Sequence, residues 1–117
     1  MISPISDITT RTLGMALDGL DRRQQAIAAN LANLETPGYL AREVEFESSL
    51  RAALGAGAPE TMSIAVDRSL APTRLNGNNV NVDVEIVSST ETQLRQKLVI
   101  EGLNSKYQLL RTAISGR

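Results

Sequence analysis

The feature that most constrains this chain is a hard stop in its first helical pattern. Apolar residues recur with a helical period up to about Asn33, and then Thr36, Pro37, Gly38 and Tyr39 follow in a row. Pro37 has no backbone N–H, its ring clashes with the preceding turn, and it pushes Thr36 out of the α region. A helix must therefore end before it. Asn33 is among the few non-glycine types that tolerate a left-handed cap after a last turn. Proline second and glycine third in a four-residue stretch is the arrangement of a type II turn, because glycine takes a positive φ without steric cost. Asn30 and Asn33 lie three apart on one helical face, which lets their amides tie the last turn to the outgoing strand.

On the N-terminal side, Ser3, Pro4 and Ser6 are start signals, and Asp7 reads as the N-cap of a helix running to about Asn33. Leu13, Leu17, Leu20, Gln24, Ile27, Leu31 and Leu34 alternate steps of four and three, a heptad seam with one polar interruption. At ~1.5 Å per residue this helix is about 40 Å long.

Beyond the turn the period changes to two. Leu40, Arg42, Val44 and Phe46 fall on one side of a short strand, and Ala41, Glu43 and Glu45 on the other. A short helix is expected over Glu47 to Leu54, ended by Gly55, with Phe46 and Leu50 one turn apart. Gly, Pro and Asn then punctuate the chain to Asn79, around one short strand through Met62, Ile64 and Val66. The last helix is expected from about Asp83 to Ser115, at ~1.5 Å per residue about 50 Å long. It carries two apolar stripes, Val87, Leu94 and Leu98, then Ile100, Leu103, Tyr107, Leu110 and Ile114, and two stripes imply two neighbours. Gly102 between them marks a possible close approach by another helix.

Composition removes whole classes of function. The 117 residues contain no cysteine and no histidine, so thiolate nucleophiles, thiolate and imidazole ligands and the usual neutral-pH base are missing. No catalytic, cofactor-binding or metal-ligating set is expected. A net charge of −1 with both signs interleaved gives no footprint for nucleic acid. No apolar run approaches the ~18 residues of a membrane span, and Met1 to Asp21 lacks the basic start and apolar block of a cleavable signal peptide. One phenylalanine and two tyrosines leave the core to aliphatic side chains.

The run of Ala29, Asn30, Leu31, Ala32 and Asn33 followed by Thr36, Pro37, Gly38 and Tyr39 resembles the N-terminal signature of bacterial flagellar rod and hook proteins, the axial family. The stretch from Asn76 through Asn79, Val80, Asp83 and Glu85 into the last helix is similar to the proximal-rod branch of that family. Together the two stretches cover roughly residues 8–47 and 76–115. Asn81, Val84 and Gln96 depart from it, standing where an acidic, a charged and an aromatic residue are more usual.

The expected fold is mainly α, with two long terminal helices paired as an antiparallel coiled coil and a short extended, partly irregular middle. Its segments are 1–36, 37–79 and 80–117 of one structural unit. The assembly surface is assigned to Leu13, Leu17, Leu20, Ile27, Leu31, Leu94, Leu98, Leu103, Tyr107, Leu110 and Ile114. The resemblance implies a structural, non-enzymatic subunit of the basal-body rod, which spans the periplasm. It implies contacts with copies of itself, other rod subunits, the rod-to-ring adaptor and the membrane ring. It also implies export by the flagellar type III apparatus, with Phe46 and Leu50 as a possible gate-recognition pair. A cytoplasmic helical-hairpin adaptor or secretion chaperone is the competing class, but it leaves the asparagine and turn signature unexplained. A sister rod protein of the same family would share it.

Overall fold

A computed structural model describes residues 7–116. The elements in order are α1 (Ile8–Ala32), β1 (Arg42–Glu45), α2 (Glu47–Gly55), a 3-10 turn (Pro59–Thr61), β2 (Ala65–Arg68) and α3 (Val82–Ser115). The start signals at Ser3, Pro4 and Ser6 and the terminal Arg117 lie outside the described residues.

Asp7 starts α1 as a capping residue. Its carboxylate accepts from the Thr10 N–H at 2.8 Å, satisfying one of the donors that a helix start leaves without an intrahelical partner. The other end of α1 differs from a left-handed cap. Asn33 has φ −107° and ψ 22°. The last turn instead tightens, with Asn33 N–H shared between Ala29 and Asn30 carbonyls and Leu34 N–H bonded to Leu31. Leu34 consequently leaves the heptad seam and sits in the turn.

α1 and α3 run antiparallel, and three pairs along their length set the register. Lys106 Nζ meets the Asp7 carboxylate at 2.7 Å, Leu13 Cδ1 lies 3.7 Å from where a Cβ on Gly102 would stand, and Gln24 Nε2 donates to Ser89 Oγ at 2.9 Å. The polar break in the α1 seam is thus matched by a polar position on α3. Gly102 faces α1 at ordinary van der Waals distance.

The middle of the chain packs along α1 beside this seam, close enough to α3 for Arg95 to reach Glu47 and for Val99 to pack against the core. β1 and β2 form a two-stranded antiparallel ribbon with Arg42 opposite Arg68, Glu43 opposite Asp67, Val44 opposite Val66 and Glu45 opposite Ala65. The paired part of each strand is shorter, or shifted, relative to the period-two pattern. Residues 39–41 are extended outside the ribbon: Ala41 N–H donates to the Asn79 side chain, while the Ala41 and Tyr39 carbonyls accept from the Ser69 and Asn79 N–H groups. Met62 closes the 3-10 turn, so pairing begins only at Ala65. Ala41, assigned by alternation to the outer side with Glu43, is buried because residues 69–79 fold over it.

The core holds Leu20, Ala26, Val44, Phe46, Ala53 and Met62, with Met15, Leu50, Ile64 and Val99 packed around it. Phe46 is its centre at 2% exposure. Gly19 makes room for it: a Cβ there would stand 2.4–2.5 Å from the phenyl ring, well inside contact distance. The molecule measures 64 × 28 × 14 Å, a thin rod rather than a ball.

Candidate functional site

The turn that ends α1 is fastened by asparagine side chains into one polar junction. Asn30, 1% exposed, donates from Nδ2 to the Arg42 carbonyl at 3.0 Å. Its Oδ1 accepts from the Arg42 N–H at 2.8 Å and from the Tyr39 hydroxyl at 2.9 Å. An amide presents a donor and an acceptor side by side, so it can pair with both backbone groups of one residue much as a strand would. Asn33 acts locally: its Nδ2 binds the Ala29 carbonyl at 2.8 Å, and its Oδ1 accepts from the Thr36 hydroxyl at 3.0 Å.

Thr36 to Tyr39 closes with Tyr39 N–H on the Thr36 carbonyl at 3.3 Å and Gly38 at φ +74°, a type II turn. Gly38 packs back to back with Gly77, itself at φ +81°. A Cβ on Gly77 would lie 3.2 Å from the Gly38 Cα, and Gly38 N–H donates to the Asn76 carbonyl at 2.8 Å. Both glycines are needed, for conformation and for closeness.

The second half of the junction comes from residues 74–81, of which Asn76 to Asn79 read in the sequence as turn residues and as part of a family resemblance. Asn78 is fully buried. Its Nδ2 donates to the carbonyls of Asn33 at 2.8 Å and Thr36 at 2.9 Å, and its Oδ1 takes the Val80 N–H at 2.8 Å. Asn79 accepts from Ala41 N–H at 2.7 Å and donates to Ser69 and Ala71 carbonyls at 3.1 Å each. Arg74 reaches the Val80 and Leu34 carbonyls at 2.7 Å each. Asn81 caps α3 by accepting from the Asp83 and Val84 N–H groups. The signal was the density of asparagines from Asn76 to Asn81, but a buried asparagine cannot be told from a loop asparagine without its partners.

Next to the junction lies an open groove of about 660 Å³ lined by, among others, Glu35, Glu43, Glu85, Arg74 and Val82. Glu85 is buried, and its carboxyl is pushed above the usual carboxylate range by desolvation, with the Asn30 amide acting the other way and Glu43 adding repulsion.

About two helical turns before Asn30 in α1, Arg23 ties the strand to α2. Its guanidinium forms a two-pronged pair with Glu47 at 2.6 Å on each arm, donates to the Val44 carbonyl at 2.9 Å, and lies 4.9 Å from the centre of the Phe46 ring. Arg95 of α3 joins the same carboxylate at 3.0 Å. The Arg23 bonds hold the Glu47 carboxyl down at about 2 and raise Arg23 above its ordinary value. Phe46 and Leu50 are brought together one helical turn apart, with Phe46 inside the core and Leu50 at its edge.

The assembly residues divide into two sets. Leu20 and Ile27 are buried, Leu13, Leu17, Leu103 and Leu110 are half-buried, and Leu31 is at the exposed end of α1. Leu94, Leu98, Tyr107 and Ile114 face solvent, at 59%, 61%, 43% and 82% exposure. The α3 side turned towards α1 is largely polar where the stripe would have been expected, carrying Glu85, Ser89 and Thr92 before Val99 and Leu103. The Val87, Leu94 and Leu98 stripe therefore looks outward, joined by Val84 and Ile86.

An elongated helical hairpin, with its polar junction satisfied and a long apolar stripe left outside, is the anatomy of a subunit built to pack into a larger assembly. A sequence model of the family described as flagella basal body rod protein matches residues 11–39, which hold most of α1 and the turn. The flagellar basal body rod protein FlgB of Bacillus subtilis strain 168 is 31% identical over 121 aligned positions, covering 92% of this chain and 94% of that protein. The FlgB proteins of Cereibacter sphaeroides and Salmonella typhimurium are 31% and 27% identical, with 82% and 94% of this chain covered and 85% and 95% of theirs. The chain belongs to the flagellar basal body rod family, and it is a structural subunit of that rod. Among the described residues no helix is long and apolar enough to cross a membrane.

Proposed function

We propose that this chain builds the proximal part of the flagellar rod, standing beside copies of itself and other rod subunits in a helical tube that carries motor torque across the periplasm. The observation that carries this reading is the outward stripe of α3. A helix of 34 residues that turns polar side chains to its own partner and leaves Val87, Leu94 and Leu98 more than half exposed has its apolar face made for another chain. In this reading Leu13, Leu17, Leu20, Ile27, Leu31, Leu103 and Leu110 hold the hairpin together. Leu94, Leu98, Tyr107 and Ile114 meet neighbours. The role is mechanical, with no catalytic step.

The signature residues Asn30, Asn33, Thr36, Pro37, Gly38 and Tyr39 fix the angle at which residues 37–79 leave the segment 1–36 and return to 80–117. A subunit under torque needs that angle rigid, and hydrogen bonds among buried groups supply rigidity better than apolar contacts because they are directional. The rod-to-ring adaptor and the membrane ring are the further neighbours in this reading. Export goes through the flagellum's own apparatus without signal cleavage. Phe46 and Leu50 act in it only before folding, since Phe46 is 2% exposed in the folded subunit.

Mass spectrometry of basal bodies purified free of filament and soluble protein tests the reading. Recovery of the chain in constant ratio to other rod proteins is expected. Its absence from the rod, together with its presence in the cytosol, would overturn it.

A further inference from the structure

The β1–β2 ribbon is electrostatically at odds with itself. Its register places Arg42 directly opposite Arg68 and Glu43 directly opposite Asp67. Like charges across a pair of antiparallel strands repel at close range, and sequences usually avoid them. Here two such pairs stand side by side. All four side chains are exposed, and among the described residues none of them takes part in an ion pair.

The pleat sorts these charges by sign, because alternate residues of a strand point to opposite faces. Arg42 and Arg68 share the face on which Val44 seats the ribbon against α1; both arginines stay exposed there, and Arg22 of α1 lines the same recess as Arg42 and Val66. Glu43 and Asp67 share the other face with Glu45, and Glu43 looks into the groove that holds Glu35 and Glu85. One thin ribbon thus presents a cationic patch on one side and an anionic patch on the other. Arg74 lines the groove beside Glu43 and Arg23 lies near Glu45, but among the described residues the side chains of Arg42, Arg68, Glu43 and Asp67 are joined by no ion pair.

We propose that neighbouring copies of this chain dock through the two faces of the ribbon, the carboxylates Glu43 and Asp67 of one copy meeting the guanidiniums Arg42 and Arg68 of the next. This rests on the rod-subunit reading and names the contact between identical subunits. The complementarity is of a surface with its own reverse side, which a second copy satisfies without any further design. Such a contact is heterologous, using different patches on the two partners, and repetition gives a ring or a helix rather than a closed two-fold dimer. It also explains the like-charge pairs: each forms a two-pronged socket for the opposite pair, so what destabilises the isolated subunit gives the assembled one register and partner choice.

The chain has no cysteine, which makes disulfide trapping clean. In the source bacterium, a chain carrying Glu43→Cys and Arg68→Cys places its thiols on opposite faces, so they cannot bridge within one subunit. Oxidised basal bodies from that strain should give a ladder of disulfide-linked oligomers of this chain, and each single variant should give none. Chain present in the basal bodies without a ladder, a dimer from either single variant, or linkage to a different protein would each overturn the proposal. Absence of even the unsubstituted chain from basal bodies would instead sink the rod-subunit reading on which it stands.

Charge reversal gives an independent measurement. Arg42→Glu with Arg68→Glu keeps the ribbon's internal repulsion unchanged but makes both faces anionic. The expected result is lost motility with an unaltered circular dichroism spectrum. Adding Glu43→Arg and Asp67→Arg restores opposite faces and should restore motility. Failure of the fourfold variant to do better than the twofold one, with both folded, would also overturn the proposal.

Discussion

Asn30 holds Arg42 by both of its backbone groups, accepting the N–H at 2.8 Å and donating to the carbonyl at 3.0 Å from a site 1% exposed to solvent. One side chain therefore does the work of a neighbouring strand at the point where α1 hands the chain to the ribbon. Asn30→Ala leaves the Arg42 groups and the Tyr39 hydroxyl with one partner fewer each, and unmet buried polar groups are expensive. A loss of about 2–4 kcal/mol is expected in urea unfolding. Asn30→Asp keeps the shape and the acceptor but replaces the donor facing the Arg42 carbonyl, so it should recover only part of that loss.

Gly19 should tolerate nothing larger. Alanine is the better helix former by roughly 1 kcal/mol, yet its Cβ would stand 2.4–2.5 Å from the Phe46 ring. Overpacking of this kind costs about 1–3 kcal/mol, so Gly19→Ala is expected to lower the melting temperature. Phe46→Leu in the same chain should reverse part of the fall. A melting temperature that rises in Gly19→Ala alone would mean that the ring is not seated there.

Acid should loosen the same region. The Glu47 carboxyl is held at about 2 against an ordinary value of 4.5, chiefly by the hydrogen bonds from Arg23. A folded-state value below the unfolded one means the contribution is complete above about pH 4.5 and is lost as pH falls towards 2. The pair is partly solvated, so its share is roughly 1–2 kcal/mol rather than the full shift. Melting curves from pH 7 to pH 2 should therefore fall less steeply below pH 4.5 in Glu47→Gln than in the unsubstituted chain. Asp7, lowered from 3.8 to about 2 by the Lys106 ammonium and the Thr10 N–H, titrates in the same window and adds to the slope.

Glu85 has the opposite sign. Burial raises its carboxyl in the folded state, Glu43 of β1 adds repulsion, the Asn30 amide of α1 offsets part of this, and Glu35 and Arg74 line the same groove. Stability linked to this group is full below its unfolded value near 4.5 and declines as pH rises through the folded value. Glu85→Gln should therefore melt higher at neutral pH. The two chains should converge in acid, and a Gln variant that melts lower at neutral pH would count against this account.

What could be read from the sequence was local or periodic. Pro37 and Gly38 announce the turn within four residues, Asp7 announces the helix start, and the α1 seam repeats often enough to fix a face. The fastening of the junction could not be read, because Asn78 bonds Asn33 and Thr36 across 45 and 42 residues and nothing nearby reports such partners. The cap at Asn33 went the other way from a left-handed one because its side chain bonds back to Ala29 and the last turn tightens. Two apolar stripes on α3 are legible in the sequence, but periodicity alone does not say which of them faces the same chain. Ser89 and Thr92, polar and facing α1, show that the intrachain seam needs little apolar area here.

That division of faces gives the most discriminating substitution. Leu94 and Leu98 are 59% and 61% exposed and take no part in the core cluster, so Leu94→Asp with Leu98→Asp should change the stability of the purified chain by no more than about 0.5 kcal/mol. Incorporation into basal bodies and swimming should both be lost, because two carboxylates would have to be desolvated against a neighbour. Ile27, 4% exposed in the α1 seam, is the counterpart: Ile27→Asp should unfold the subunit itself. If the double variant melts early in isolation, the stripe belongs to the hairpin. If it melts normally and still assembles, the neighbours of α3 lie on another face.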